Sequence, residues 1–395
     1  MNFAILQPEI QQFITNNLKA DITKLILKGS PFKDVSVQEL ANQIVAKQKS
    51  EHKLPSWFST KNIYYPPKIS IEQTSSEITA KYKTEIITGN SIIDITGGFG
   101  VDCFYFSKHY KNVIHCEINS ELSAIVKHNY QQLKIKNIET VSGDGIEYLK
   151  NIEQNFDCIY IDPSRRNDIK GKVFLLKDCL PNVPENIDFI FCKTKQVLLK
   201  NSPILDITSA INELKFVKEI HIIAVKNEVK EVLFLLEKDS IKSIEIKTIN
   251  IQKNNWQTFN FIHKEKAISQ YSKPLTYLYE PNAAILKSGG FHQISQQLNV
   301  FKIHQHSHLY TSDVLIDFPG RIFKIENVIS YDKKEIQKLI PEKKANITTR
   351  NFPKTVALIR KETKIKDGGN TYLFFTTNLN NKSIIIHCSK INLKN

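Results

Sequence analysis

Four short apolar runs in this chain each end in residues that can bind or react. "SIIDITGGFG" delivers Asp94, Thr96, Gly97, Gly98 and Gly100; "NVIHCEI" delivers Glu117; "IETVSGDG" delivers Asp144 and Gly145. The fourth, "CIYIDPSRRN", runs into Asp162 and Pro163 and then Arg165 and Arg166. Glycines after a strand let the backbone approach a ligand without a Cβ in the way. An acid closing the second strand is placed to accept both ribose hydroxyls of a nucleoside. Asp144 suits an adenine amino group. Singly, each feature also reads as a tight turn, a solvated acid or a helix cap. Their order on successive strands is what carries the nucleoside reading.

The choice of nucleoside follows from charge. A nicotinamide fingerprint wants a third glycine leading into a helix, so that a pyrophosphate sits on its N-terminus. In "GGFGVDC" that place holds Asp102, and a further negative charge there would repel a pyrophosphate. A sulfonium with an amino-acid tail has no phosphate, so S-adenosyl-L-methionine is the expected cofactor. "LLKNSPILD" supplies Lys200 as a candidate substrate contact and no cysteine, which argues against covalent attack on a pyrimidine ring. His304, His306 and His308 alternate in "HQHSHLY" as strand-borne ligands would, without an acid or cysteine at supporting spacing, and no metal is expected.

Positioning those residues requires an α/β sheet. At 395 residues the chain exceeds one compact core. Residues 1–72 read as amphipathic helices closed by the "YYPPK" break. From 73 to 265, β-branched runs alternate with helical patterns, among them "ELSAIVKHNYQQLKI", "DITSAINELK" and "EVKEVLFLLEK". Seven strands in a mostly parallel, Rossmann-like sheet follow from that rhythm. Past 272 the alternation stops, and two small α+β pieces are expected, at 275–320 and 321–395. No apolar run is long enough for a membrane helix, the first residues do not form a signal peptide, and six scattered cysteines suit free thiols in a reducing cytoplasm. A formal charge of +14 favours a polyanionic partner, although a Lys-, Ile- and Asn-rich composition also produces such an excess without any binding role.

The motifs together carry a resemblance. "IIDITGGFGVDCFYF", "CEIN", "GDG" and "DPSRR" resemble a class I S-adenosylmethionine-dependent methyltransferase. "IEQTSSEITAKYK", "YLYEPNAAILK", "HLYTSD", "FPGR" and "RNFP…DGGNTYLFFTT" extend the likeness to the bacterial family of such enzymes with C-terminal ferredoxin-like and THUMP-like domains. The resemblance implies an RNA substrate, a structured tRNA or rRNA; the basic run from Lys343 to Lys366 reads either as a solvated charged face or as a phosphate contact to it. Similar enzymes that methylate exocyclic amines carry D/N-P-P-Y at the end of the fourth strand. Asp162 and Pro163 match its start, so they would accept the N–H groups of the target amine and orient its lone pair. Arg165 stands where the stacking aromatic would be, with Arg166 beside it to clamp a phosphate. The missing aromatic leaves both an exocyclic and a ring nitrogen of the base open as the target, and fold and cofactor do not set the acceptor. DNA, protein and small-molecule methylation therefore stay as competing readings, with a non-catalytic RNA-binding protein that keeps a cofactor pocket.

Overall fold

Alternating β-branched runs and amphipathic helices build an α/β architecture in the computed structural model, which describes residues 1–165, 175–253 and 255–391. The chain divides into two compact units, Met1–Lys218 with Glu231–Lys242 and Glu219–Lys230 with Ser243–Asn395. Among the described residues no helix is long and apolar enough to cross a membrane. Five of the six cysteines are buried and Cys192 is exposed, all as free thiols.

The first unit opens with helices. The longest, α1 (Val37–Lys53), begins with a capping box in which Ser36 and Glu39 satisfy each other's backbone N–H, and it buries Leu40, Ala41 and Ile44. After a short helix α2 (Glu77–Lys83), the sheet begins. Strand β1 (Ser91–Asp94) leads through the glycine turn to α3 (Val101–Phe106). Then come β2 (Asn112–Glu117), α4 (Ser120–Gln132), β3 (Ile138–Ser142), α5 (Gly145–Asn151) and β4 (Cys158–Ile161). A two-residue ladder follows, pairing Ser164 and Arg165 with Leu180 and Cys179. Beyond it lie α6 (Val183–Lys193), β5 (Gln196–Asn201) and α7 (Ile207–Glu213).

In space the strands run β3-β2-β1-β4-β5, all parallel. The chain therefore winds outward from β1 in one direction and returns to start β4 on its other side. That reversal opens a crevice beyond the carboxyl ends of β1 and β4, where ligands bind in sheets of this kind. Ile92, Ile93, Ile159, Tyr160, Val197 and Leu198 are all fully buried. Consecutive burial of this sort means that both faces of the sheet are covered.

Two stretches correct the sequence reading. "EVKEVLFLLEK" is not helical: it forms a strand, Glu228–Glu237, antiparallel to β5. Its run of Val232–Leu236 is entirely buried, so burial on both faces overrode the helix propensity of Glu, Leu and Lys. "EIKTINI" was passed over and is also a strand. In chain order these are β6 (Val217–Val225), β7 (Glu228–Glu237), β8 (Glu245–Ile251) and β9 (Trp256–Ile262).

In the second unit β8 lies parallel to β6 and antiparallel to β9. A further sheet holds β10 (Tyr277–Pro281), β11 (Phe301–Lys302), β12 (Tyr310–Ser312), β13 (Gly320–Ser330), β14 (Asn346–Arg350), β15 (Thr371–Thr377) and β16 (Ser383–Ile391). Its order is β11-β12-β10-β13-β16-β15-β14. Residues 303–309 turn between β11 and β12, so the three histidines do not alternate along a strand. His304 uses both ring nitrogens within the fold, with Asn381 at 3.0 Å on Nε2 and Asn351 at 3.0 Å on Nδ1.

Neighbouring residues of β15 and β16 enter different cores. Phe374, Ile384 and Ile386 join Leu278 and Phe323 on one face; Leu373, Phe375 and Ile385 join Ile336 and Ile359 of helices α8 (Lys333–Leu339) and α9 (Val356–Thr363) on the other. Across β10, β13 and β14, the buried Glu280 is gripped by Arg321 and by Arg350, the latter at 2.8 Å. Both arginines are about one-third exposed, so the cost of removing the anion is moderated by solvent. Glu280→Gln is expected to destabilise this unit by about 2 kcal/mol. Faster amide exchange in β10, β13 and β14, with exchange in β1–β3 unchanged, is the check.

Candidate active site

Helix α2 explains why the chemistry-bearing strand ends stand where they do. Nearly every polar residue of "SSEITAKYK" has a partner. Ser76 caps the helix through the Thr79 N–H. Glu77 accepts from the Ser56 backbone at 2.6 Å and from the Tyr105 hydroxyl at 2.6 Å. Lys83 is fully buried and lies 2.9 Å from Asp102 and 2.6 Å from Glu231. Ser75 and Tyr160 donate to the second oxygen of Asp102 at 2.8 and 2.9 Å, and Thr79 donates to Glu231 at 2.7 Å. Burial alone would raise the Asp102 pKa, but the ammonium groups of Lys83 and Lys200 overcome it and hold the carboxyl below its usual range.

Asp102 thus faces inward, neutralised by Lys83. The sequence argument that its charge would repel a pyrophosphate at the turn falls away on this geometry. Sequence reasoning missed Lys83 and Glu231 as parts of the site. The pre-sheet motif was visible but had no stated purpose, and Glu231 was concealed by the helical misreading of its strand.

The glycine turn is held tightly. Gly97 donates to the Cys116 carbonyl at 2.7 Å, and Gly98 donates to Glu117 at 2.8 Å. Gly98 and Gly100 have φ of 55° and 77°, the left-handed region where glycine is at ease. The other oxygen of Glu117 takes the Asn119 N–H at 2.8 Å. Asp144 caps α5 through the N–H groups of Ile146 and Glu147, and Gly145 packs where a Cβ would meet the Ile95 carbonyl. Glu117, which is buried, and Asp144, which is exposed, therefore have architectural duties as well as spare acceptor capacity: each carboxylate oxygen carries two lone pairs. His115, buried under the turn, sits 3.3 Å from the Gly98 carbonyl, and burial lowers its pKa to about 4.

The tips of β1 and β4 are joined by one hydroxyl. Thr96 Oγ1 donates to Asp94 Oδ1 at 3.0 Å and accepts the backbone N–H of Asp162 at 2.7 Å. Burial raises the Asp94 pKa to about 8, with the Thr96 hydrogen bonds opposing and the charges of Asp102 and Asp162 reinforcing. Asp162 in turn contacts the Lys200 ammonium. Lys200 is buried, which alone would lower its pKa, but Asp162, Glu231 and Asp102 together raise it. The structure thus brings Asp94, Thr96, Gly97, Gly98, Glu117, Asp162 and Lys200 into one connected set. Pro163 follows directly, and the Arg165 backbone lies in the short ladder. Arg166 lies outside the described residues. Among those described, no group of histidines, cysteines and carboxylates suits a metal ion.

Comparison with known proteins agrees with this fold. Residues 89–166 match the RNA cap guanine-N2 methyltransferase family, 277–319 a ferredoxin-like domain and 320–390 a THUMP domain-like family. A crystal structure from Porphyromonas gingivalis W83, described as a candidate methyltransferase, is 29% identical, with 98% of each chain covered and a TM-score of 0.88. An uncharacterised RNA methyltransferase of Mycoplasma mobile is 29% identical over 105 residues, 26% of this chain and 27% of that protein. The chain thus spans about a quarter of the length of that curated relative.

Two substitutions test the scaffold. Lys83→Met leaves Asp102 and Glu231 buried without their cation and is expected to cost about 3–5 kcal/mol, read from chemical denaturation. Gly97→Ala would place a Cβ 2.3 Å from the His115 ring. The imidazole must move and release the Gly98 carbonyl, at about 1–3 kcal/mol, read in the same assay.

Proposed function

We propose that this chain, which resembles class I methyltransferases joined to ferredoxin-like and THUMP-like domains, acts as an S-adenosylmethionine-dependent RNA methyltransferase on an exocyclic nitrogen of a base. The observation that carries this reading is the Thr96 hydroxyl, which ties the glycine-turn tip of β1 directly to Asp162. Guanine N2 is the preferred target, since the family matched over residues 89–166 is described by that chemistry. A structured tRNA or rRNA is the proposed substrate.

The donor set fits the cofactor. Asp102 and Glu231 share Lys83, and Asp162 is docked on Lys200. Asp94, at the tip of β1, is held neutral by burial, and a nearby sulfonium would favour its ionised form where a pyrophosphate would not. Glu117 would hold the ribose hydroxyls, Asp144 and Gly145 the adenine side, and Gly97, Gly98 and Gly100 the backbone-lined floor. When bound, the cofactor supplies an electrophilic methyl group.

The chain's own residues handle the acceptor. Asp162 and the Pro163 carbonyl accept N–H hydrogens of the amine, orient its lone pair and offset positive charge developing on nitrogen. Arg165 and Arg166 would contact the base or its phosphate. In the basic run Arg350 is engaged with Glu280, Lys354 with Glu362, and Arg360 with Asp367. Lys343, Lys344, Lys361, Lys364 and Lys366 are exposed and are the candidates for phosphate contact.

Three measurements bear on this reading. Comparing nucleoside mass spectra of RNA from parent and deletion strains should show loss of a methylated guanosine. A change confined to DNA or protein overturns the RNA assignment. Asp162→Ala should lower methyl transfer by about a hundredfold or more while calorimetry shows cofactor affinity retained. Asp94 is protonated below about pH 8, whereas a cationic ligand favours its ionised form. Cofactor binding at pH 7 should therefore release a proton, and affinity should rise as pH approaches 8, by up to about tenfold per unit. Asp94→Asn should flatten that dependence.

A further inference from the structure

The end of β5 shows a division of labour that the sequence does not reveal. Ile161 of β4 and Leu199 of β5 are register partners, so the next residues, Asp162 and Lys200, stand side by side beyond the last paired position. The Lys200 ammonium rests on Asp162 Oδ2, and its side chain is 10% exposed against 34% for Asp162. An ammonium that is enclosed and already docked on a carboxylate is badly placed to meet an RNA phosphate, the role its sequence position suggested. We propose that Lys200 is a positioning residue: it fixes Asp162 as a carboxylate, with Oδ2 turned inward and Oδ1 left for the incoming amine.

The surroundings of Asp162 show why such a cation is needed. Asp102 on α3 and Asp94 on β1 repel its negative form, while Lys83 on α2 lies behind Asp102 and is shared with Glu231 of β7. Burial disfavours the carboxylate further, and Lys200 is the largest opposing influence. Burial holds the Asp162 carboxyl above its usual range even with that cation in place, and without it the carboxyl would be pushed higher still. A protonated carboxyl oxygen donates where the target amine needs an acceptor. Lys200 would thereby set the protonation state of the acceptor-binding group without touching the substrate.

This inference rests on the reading that Asp162 orients the acceptor nitrogen, and the test separates the two. Methyl transfer to RNA from a deletion strain is followed across pH at saturating cofactor. Asp162→Ala comes first: wild-type turnover in that variant sinks both ideas. Given a defect there, Lys200→Met should lower kcat at pH 7 by about tenfold or more and move the acid limb of the pH profile upward by about one unit. Turnover should recover as pH rises, because a higher pH restores the carboxylate that Lys200 no longer protects. Lys200→Arg should keep the limb near its wild-type position. Lys200→Gln replaces the Met variant if the latter fails to fold. Lys200→Met in the Asp162→Asn background should add little to the loss. The inference is overturned if Lys200→Met raises KM for RNA with kcat unchanged, which marks a substrate cation. It is equally overturned if activity falls by the same factor at every pH, which marks a purely structural role.

Discussion

A single buried ammonium organises the first unit of this molecule. Lys83 enters the interior from a two-turn helix that would have little stability of its own, and it meets a carboxylate from the glycine-turn helix and another from β7. Taking a lysine out of water is costly, and only good geometry with further hydrogen bonds recovers the loss. Here the geometry is supplied by Ser75 and Tyr160, which donate to the second oxygen of Asp102, and by Thr79, which donates to the second oxygen of Glu231. The contact specifies position more than it adds stability. It sets where α3 begins and hence where the glycines lie.

Much of this architecture could be read directly. The alternation of β-branched runs with amphipathic segments placed β1 through β5 and helices such as α4 and α7, because period and flanking turns agree there. The six elements from Gly320 to Ile391 were equally legible, since a proline, glycine or polar break bounds nearly every one. What failed did so for a physical reason. "EVKEVLFLLEK" has residues with strong helix propensity, and only the neighbouring strand β5, which no local window contains, makes it extended. The histidines of "HQHSHLY" alternate in sequence, but the chain turns through them.

The site divides in the same way. The acids and glycines at strand ends follow from the sequence because topology brings successive parallel strands to one edge. Which acids face the crevice does not follow. Asp102 and Asp162 look alike in sequence, yet one is turned inward to Lys83 and the other remains a third exposed. Side-chain direction at the end of a strand depends on the partner waiting on each face, and Lys83, Lys200 and Glu231 come from segments far apart in the chain. Lys200 shows the point most sharply. A basic residue at the end of a strand, as in "LLKNSPILD", suggests substrate contact until its burial is known.

Strand β13 has a consequence for how the C-terminal half behaves as matter. Its first residues hydrogen-bond to β10, and the strand continues along β16 for most of its length. Family likeness draws a border between residues 319 and 320, at the very start of that shared strand. Such a border marks ancestry and not mechanical independence. Cutting there would strip β10 of a long neighbour and expose a raw sheet edge, a known invitation to aggregation. The two C-terminal modules are therefore bound to melt together, as one cooperative body with two evolutionary names.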